Sequence, residues 1–257
     1  MWIGFLGPLE IVDGGICADI GGPRQQCVLA CLLVSTPDFV TVDRLIDEVW
    51  GERAPATAAH VISTYVSSLR KTLGSRIVSE RTRHRIDVSA DEVDAVMFAE
   101  RLEMGRSLVD SDPTRALLVL DGAIGLWKGR PFGELADESA LLCLHAESLI
   151  ELQVQAVEAR VRAALDLGHH ERVVPVLRTL TQEHPYRERL WQQLMLALYR
   201  GDRQGEALRA GHELRTLLRD ELGIEPSQTT QDLEQRILVQ DPELLVGCAQ
   251  TTRIRAV

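Results

Sequence analysis

Six cationic residues and a single acidic residue lie between positions 57 and 85, in a chain whose formal net charge is −10. The cations are Arg70, Lys71, Arg76, Arg81, Arg83 and Arg85, and the acid is Glu80. Positive charge that is concentrated in one stretch attracts phosphate groups even when the whole protein is acidic. The residues therefore predict contact with a polyanion, provided that the elements around them have a suitable shape.

A helix is predicted over residues 57–73, because apolar residues recur there at the spacing of one helix face. These residues are Ile62, Tyr65, Val66, Leu69 and Leu73. The opposite face has short polar or cationic side chains, which suit a helix that approaches base edges in a major groove. That face comprises His60, Thr64, Ser67 and Lys71, flanked by Thr57, Ser63, Ser68 and Arg70. The helix alone is equally typical of an ordinary solvated surface.

The flanking segments favour the nucleic-acid interpretation. Residues 42–50 predict a short helix that is capped by Thr41 and stopped by Gly51. With the helix at 57–73 it forms a helix-turn-helix unit with a long turn. Downstream, residues 76–79 and 85–88 predict two strands around a basic tip at residues 80–84, which is the wing of a winged helix.

The first 35 residues complete this domain. Short strand-like runs cover residues 2–6, 9–12 and 16–20, and glycine-containing turns separate them. Pro23 suits the first position of a helix whose core stripe includes Val28, Leu29, Leu32 and Leu33. The predicted order is three strands, three helices and a hairpin.

Several short motifs along the chain resemble the Streptomyces antibiotic regulatory protein (SARP) family. The motifs are Gly7-Pro8-Leu9-Glu10, Gly21-Gly22-Pro23-Arg24-Gln25, Val42-Asp43-Arg44-Leu45-Ile46-Asp47 to Trp50-Gly51, Thr64-Tyr65-Val66-Ser67 to Leu69-Arg70, Leu196-Ala197-Leu198-Tyr199-Arg200, Glu206-Ala207-Leu208, Glu221-Leu222-Gly223-Ile224-Glu225-Pro226-Ser227 and Ile237-Leu238 to Asp241-Pro242. The resemblance covers about residues 2 to 245. It implies a mainly α fold with a small β component: an OmpR-type winged-helix domain at 1–93 and an all-α, tetratricopeptide-like bacterial transcriptional activator domain at 94–245.

The resemblance implies a sequence-specific transcriptional activator, usually of a secondary-metabolite (antibiotic) gene cluster. Its implied partners are double-stranded DNA with direct repeats, bound as a homodimer, and RNA polymerase holoenzyme. The implied recognition-helix contacts are Thr57, His60, Ser63, Thr64, Ser67, Ser68, Arg70 and Lys71. The implied wing contacts are Arg81, Arg83, His84 and Arg85; Arg24 and Gln25 would touch the DNA backbone, and Trp50, Glu52 and Arg53 would form a polymerase-contact loop.

This chain departs from the SARP pattern at two positions near the expected interface. The family usually has Gly-Tyr in the wing, where this chain has Arg83-His84. Ser68 occupies a position that is commonly arginine in the family. Both changes bear on affinity and site preference more than on the class of function. The alternative is a helical-repeat interaction regulator with weak or no DNA binding.

The second half is predicted to be helical and to bind proteins. Helices are expected at 94–108, 113–127 and 139–167, with Asp112 as an N-cap. A 34-residue offset relates Gly168 to Asp202, as in tetratricopeptide repeats. Acidic residues outnumber basic ones by 25 to 19 over residues 96–257, so this half lacks a nucleic-acid stripe. Such repeats usually bind partner proteins, including a second copy of the same chain. The alternative is a passive cap that stabilises the winged helix.

The remaining features indicate a cytoplasmic, nucleoid-associated protein that is not an enzyme. The sequence has no phosphate-binding loop, dinucleotide fingerprint, zinc-protease motif or serine-hydrolase motif, and no cofactor or metal is predicted. Five cysteines without paired spacing indicate neither a disulfide framework nor a zinc site, and Cys27 and Cys31 are expected to be buried. No signal peptide or membrane-spanning run is expected, and residues 246–257 are expected to form a flexible tail.

Overall fold

The computed structural model describes residues 1–245, so the predicted tail at 246–257 lies outside the described residues. The chain packs as two compact units, one formed by residues 1–103 and 122–155, and the other by residues 104–121 and those from 156 onward. The expected boundary at residue 93, between the winged-helix domain and the activator domain, stays a prediction. The mainly α fold with a small β part is confirmed.

The first unit begins with an antiparallel sheet of three short strands. They are β1 (Trp2–Gly4), β2 (Glu10–Asp13) and β3 (Ile16–Cys17), in that spatial order. The first strand ends earlier than expected because the backbone N–H groups of Phe5 and Leu6 donate to the Asp94 carboxylate at 2.9–3.0 Å. Their carbonyl oxygens accept from Phe132 and Lys128. This backbone therefore bonds to later segments of the same unit.

Three helices form the core of the winged helix. They are α1 (Pro23–Val34), α2 (Val42–Trp50) and α3 (Ala58–Leu73). The Thr41 side chain accepts from the N–H of Arg44 at 3.2 Å, which confirms it as the cap of α2. Gly51 ends α2 with a φ of +53°, a backbone conformation that favours glycine. Cys27 and Cys31 are buried in α1 as expected.

A second antiparallel sheet forms the wing. Its strands are β4 (Val40–Thr41), β5 (Ile77–Glu80) and β6 (Arg83–Ile86), in the spatial order β4-β6-β5. The hairpin prediction is confirmed, but the boundaries were wrong, because only Arg81 and Thr82 form the turn and Arg83–Arg85 belong to β6. β4 was not predicted, since two residues carry no recognisable strand periodicity.

Three further helices follow: α4 (Asp94–Leu108), α5 (Pro113–Ile124) and α6 (Ala140–Asp166). Asp112 caps α5 by accepting from the N–H of Arg115 at 3.0 Å, as predicted. α5 ends three residues before the expected Trp127, whose ring instead meets Phe98 edge-on at 5.3 Å. In the first unit, Glu48 of α2 accepts from the Ser139 hydroxyl at 2.6 Å and from the N–H of Leu141 at 3.1 Å, and so fixes the start of α6.

The second unit contains two helix pairs. Its helices are α7 (His170–Glu183), α8 (Glu188–Arg200), α9 (Gln204–Leu222) and α10 (Gln228–Leu238). α7 and α9 begin 34 residues apart, in agreement with the offset read from the sequence. α7 continues through Pro175. Glu158, which is 4% exposed, pairs with Arg187 at 2.5 Å inside this unit.

Helix α6 is long and apolar enough to cross a membrane by length and composition alone, with a mean hydropathy of 1.2 in its best window. The same test is passed by core helices of proteins that never meet a membrane. Leu142, Leu149, Val154, Val161 and Leu165 of α6 are all buried in the protein. The window as a whole is only 28% buried, and one helix of this kind is weak evidence for a membrane span. Within residues 1–245, no group of three His, Cys, Asp or Glu side chains could hold a metal ion.

Candidate nucleic-acid interface

Helix α3 packs through the apolar stripe that the sequence predicted. Ile62, Val66, Leu69 and Leu73 are at most 5% exposed and form its inner face. Tyr65 belongs to the same stripe but is half-buried at its edge. The inner stripe fixes which residues of α3 face outward, and therefore which of them can meet a ligand.

The outer face of α3 is polar and contains no acidic residue, because the whole helix lacks Asp and Glu. Its exposed members are His60, Ser63, Thr64, Ser67, Arg70 and Lys71, and Thr57 is exposed at the N-cap. The hydroxyls of Ser63 and Thr64 donate to the carbonyl oxygens of Ala59 and His60, each at 3.0 Å. These short side chains lie against their own helix, which leaves a low surface that a groove can accommodate.

Ser68 lies beside this face and joins α3 to α1. It is half-buried, and its hydroxyl accepts from the side-chain amide of Gln25 at 3.3 Å. The structure therefore brings two of the predicted contact residues together, one from the recognition helix and one from the start of α1. Where SARP proteins commonly carry arginine, this chain has a short residue that orients a neighbouring amide.

Trp50 connects the end of α2 to both neighbouring helices. Its ring stacks on Tyr65 of α3 at 6.5 Å with an interplanar angle of 16°. The guanidinium of Arg24, at the start of α1, lies 5.7 Å from the centre of the Trp50 ring. Trp50 is thus a packing residue, whereas Glu52 and Arg53 are exposed in the short 3-10 turn at Gly51–Arg53.

Arg70 joins the recognition helix to the wing. Its Nε donates to the carbonyl oxygen of Ile77 at 3.2 Å, and its terminal nitrogen donates to the Ser79 hydroxyl. Ser79 also bonds to Nδ1 of His84 across the hairpin. The Ser79 hydroxyl has one donor and two acceptor sites, so it can bond to both Arg70 and His84 at the same time. Burial, and secondarily the charge of Arg70, lower the pKa of His84.

His84 does not face outward, although the sequence placed it among the wing contacts. Its side chain is only 8% exposed and fills the inner side of β6. The reason is strand alternation, because His84 and Ile86 point inward while Arg83 and Arg85 point to the other face. The outward cations of the wing are therefore Arg81 at the turn and Arg83 and Arg85 on β6.

Phe39 organises two of these cations, and sequence reasoning missed it. The guanidinium carbons of Arg83 and Arg85 lie 4.7 and 5.1 Å from the centre of its ring. Phe39 immediately precedes β4, whose Thr41 pairs with Arg83 in the sheet. No motif singled out this phenylalanine, because its role depends on the pairing of β4 with the wing.

Some of the basic side chains between residues 70 and 85 already form ion pairs with acidic side chains. Arg76 pairs with Glu92 at 2.6 Å, and this hydrogen bond raises the pKa of Arg76 and lowers that of Glu92. Arg83 pairs with Glu80 at 2.7 Å. By contrast, Lys71 and Arg81 are exposed and have no ion pair with any residue in 1–245. These two cations are the ones most accessible to an incoming phosphate.

Two family models match most of the chain. "Bacterial transcriptional activator domain" matches residues 93–238, and "Transcriptional regulatory protein, C terminal" matches residues 21–87. The chain is 34% identical to the transcriptional regulatory protein MoaR1 of Mycobacterium tuberculosis, over 97% of its length and 83% of MoaR1. The chain belongs to the SARP family. It is 38% identical to the regulatory protein AfsR of Streptomyces coelicolor, although it spans only 25% of AfsR.

A solved structure of a relative has the same fold as this SARP chain. It is Mycobacterium tuberculosis EmbR in complex with a low-affinity phosphopeptide, with a TM-score of 0.89 at 33% identity. The match covers 98% of this chain and 70% of the EmbR chain. The winged-helix and activator modules therefore occur together in the relative as they do here.

Proposed function

We propose that this SARP chain is a sequence-specific, DNA-binding transcriptional activator. Helix α3 would enter the major groove, and the wing would contact the DNA backbone or the minor groove at Arg81, Arg83 and Arg85. Arg24 and the start of α1 would meet a phosphate, since helix N-termini favour anions. The homology to transcriptional regulators and the winged-helix fold support this assignment.

The observation that carries the proposal is the outer face of α3. It combines six exposed polar or cationic side chains with a complete lack of acidic residues, in a chain with 38 acids and 28 cations. A solvated helix in such an acidic protein would be expected to carry Glu or Asp on its outer face. Their absence from all 16 residues of α3 favours the approach of a polyanion.

The finer assignments rest on the family resemblance. They are a homodimer on direct repeats, recruitment of RNA polymerase holoenzyme and control of a secondary-metabolite gene cluster in the cytoplasm. Glu52 and Arg53 are exposed beside Trp50, which packs on α3, so a polymerase contact there would lie next to the DNA-reading helix. In the second unit, Leu222, Ile224 and Leu238 are about half exposed and support a role in protein contacts.

The test measures binding to DNA from upstream of the adjacent genes. Fluorescence anisotropy gives the affinity at several salt concentrations between about 50 and 200 mM. We expect a specific footprint and a steep fall of affinity with salt, by a slope of about −0.9 per phosphate neutralised. Lys71→Ala should make that slope shallower by about one, whereas His60→Ala or Thr64→Ala should change the preference between sites.

The matched control is Arg172→Ala, which removes one exposed cation from α7 in the other compact unit. It should leave the salt slope unchanged. Negligible, salt-insensitive binding by the parent protein would overturn the proposal and favour a protein-interaction regulator. Equal effects of Lys71→Ala and Arg172→Ala would show that binding is not directed by α3.

A further inference from the structure

A cavity of about 450 Å³ lies within the first compact unit, on the side of α1 where that helix ends. Its walls come from the end of α1, the segment that follows the wing, the start of α4 and the first half of α6. The apolar wall residues include Phe5, Leu33, Val88, Val93, Val96 and Leu149. The cavity opens to solvent beside the exposed residues Ser89, Ala90 and Val96, and its volume lies within the range of about 300–1,000 Å³ that pockets for small ligands have.

His145 of α6 is the polar feature of this cavity. It is half-buried and makes no hydrogen bond with any residue that the structure describes. The other polar wall groups are already engaged: the Thr36 hydroxyl donates to the carbonyl oxygen of Leu32 at 3.1 Å, and the Ser89 side chain caps the turn at Ala90–Glu92. The His145 ring lies 6.1 Å from the Phe132 ring, and its nitrogens are not among the fully buried polar atoms that lack a partner in the described chain, so a ligand would replace water as the partner of this imidazole.

The electrostatics of the cavity restrict the charge of an occupant. None of its wall residues is Asp, Glu, Lys or Arg. Burial lowers the pKa of His145, so the imidazole is neutral at pH 7 and offers one donor and one acceptor. A charged molecule would lose its hydration without gaining a counter-charge. Because the cavity opens to solvent, a ligand would displace water that the apolar wall residues bind weakly, which favours an apolar occupant.

We infer that this cavity binds a neutral, mainly apolar small molecule whose hydroxyl or carbonyl group meets His145. The volume suits a compact ring system, the walls suit its apolar surface, and the imidazole suits its one polar group.

The position of the cavity connects it to the DNA-binding elements. Leu33 and Thr36 belong to or follow α1, which also packs against α2 and α3. The Thr36 hydroxyl lies 3.5 Å from the carbonyl oxygen of Ile86, the last residue of β6. A molecule in the cavity would therefore contact the base of the wing. Binding should raise the melting temperature by mass action and change DNA affinity if the wing differs between the free and bound states.

The test uses 2-naphthol, naphthalene and naphthalene-2-sulfonate as probes of the full-length protein, with binding measured by calorimetry and naphthyl fluorescence. We expect saturable binding of one 2-naphthol per chain, with the sulfonate at least tenfold weaker. His145→Phe should remove the preference for 2-naphthol over naphthalene, a change of about three- to tenfold for one hydrogen bond. The ¹⁵N signals of the His145 ring should shift when 2-naphthol is added.

Two tryptophan substitutions locate the site. Val96→Trp places a large side chain on the cavity wall and should weaken 2-naphthol binding at least tenfold. Leu144→Trp alters an exposed residue of α6 that does not line the cavity and should have no effect. Ala99→Leu fills the same cavity less drastically and is used if Val96→Trp loses its far-ultraviolet circular dichroism. The inference is overturned if no probe binds saturably, or if binding survives the cavity-filling variants.

Discussion

The guanidinium carbon of Arg83 lies 4.7 Å from the centre of the Phe39 ring, and Arg85 lies against the same ring at 5.1 Å. Both arginines project from the outward side of β6. The ring restricts side chains that would otherwise sample many rotamers. The wing therefore presents its charge in a partly preorganised form, which reduces the entropy lost when DNA binds.

Replacing Phe39 by leucine should weaken DNA binding without unfolding the domain. The two contacts exist before DNA binds, so their loss lowers affinity through the arginine rotamers that must then be ordered on binding, at about 0.5–1.5 kcal/mol per side chain, or about two- to tenfold in affinity. Phe39→Tyr keeps the ring and is the control, with affinity expected within about twofold of the parent. Anisotropy titrations at one salt concentration measure the effect. Equal affinity of the leucine and tyrosine variants would contradict a role for the ring.

The helices of the DNA-binding region were more predictable than its wing. The stripe from Ile62 to Leu73 repeats over about three turns, and caps such as Thr41 and Gly51 mark the neighbouring helix, so local sequence was sufficient. β4 consists of two residues and exists because it pairs with β6. The role of Phe39 follows from that non-local pairing, which no periodicity in the sequence records.

Arg70 and Lys71 are adjacent cations with different surroundings. Arg70 donates to Ile77 and Ser79, and so joins α3 to β5, whereas Lys71 is exposed without an ion pair in the described chain. Sequence reasoning treated both as phosphate contacts, because residue type alone cannot reveal a hydrogen bond to a strand nine residues away. Truncation of Arg70 should therefore mainly affect the stability of the fold, whereas truncation of Lys71 should mainly affect DNA binding.

Arg70→Ala should lower the free energy of unfolding by about 1 kcal/mol, since a partly exposed charged hydrogen bond is lost. It should alter the salt slope of DNA binding less than Lys71→Ala, which should reduce the slope by about one and leave the melting temperature unchanged. Urea denaturation and salt titrations of both variants make the comparison. If Lys71→Ala destabilised the fold while Arg70→Ala did not, the structural assignment of Arg70 would be wrong.

Arg81 occupies the wing turn with a φ of +53°, a left-handed conformation that costs a non-glycine residue about 1–2 kcal/mol. Arg81→Gly should therefore raise the free energy of unfolding by about 1 kcal/mol, while it weakens DNA binding and reduces the salt slope by about one. Arg81→Asn removes the same charge with less backbone relief and should fall between the two in stability. Unchanged affinity in both variants would exclude Arg81 from the interface.

The inward direction of His84 shows another limit of the sequence. Its neighbours Arg83 and Arg85 are cationic, and the basic run suggested one continuous contact surface. Strand alternation divides that run between two faces, and the register with Ser79 fixes which face His84 occupies. A shift of one residue in the pairing would have exposed His84 and buried the arginines, so only the observed register decides the matter.

Three histidines should make stability fall as the pH decreases from about 7 to 5. Burial is the main cause that lowers the pKa of His84, His145 and His170 in the folded chain. The unfolded chain then takes up protons below the usual histidine pKa of about 6.5, while the folded chain takes them up only at lower pH. Protonation therefore favours the unfolded state across that interval, and the contribution of the neutral histidines is fully present above it.

The measurement is urea denaturation at several pH values between about 7.5 and 5, where the unfolded histidines gain their protons. His84→Gln keeps a side-chain partner for Ser79 but cannot titrate, so it should show a shallower fall in the free energy of unfolding than the parent. His60→Gln makes the same exchange on the exposed face of α3 and controls for residue type. A parent protein whose fall in stability is no steeper than that of His84→Gln would contradict the buried, neutral state of His84. The lowered pKa values of Glu92 and Glu188 act only at more acidic pH, because carboxylates in unfolded chains titrate near 4.3. Asp94 is the exception, because burial raises its pKa, so its protonation favours the folded state and opposes the effect of the histidines as the pH falls.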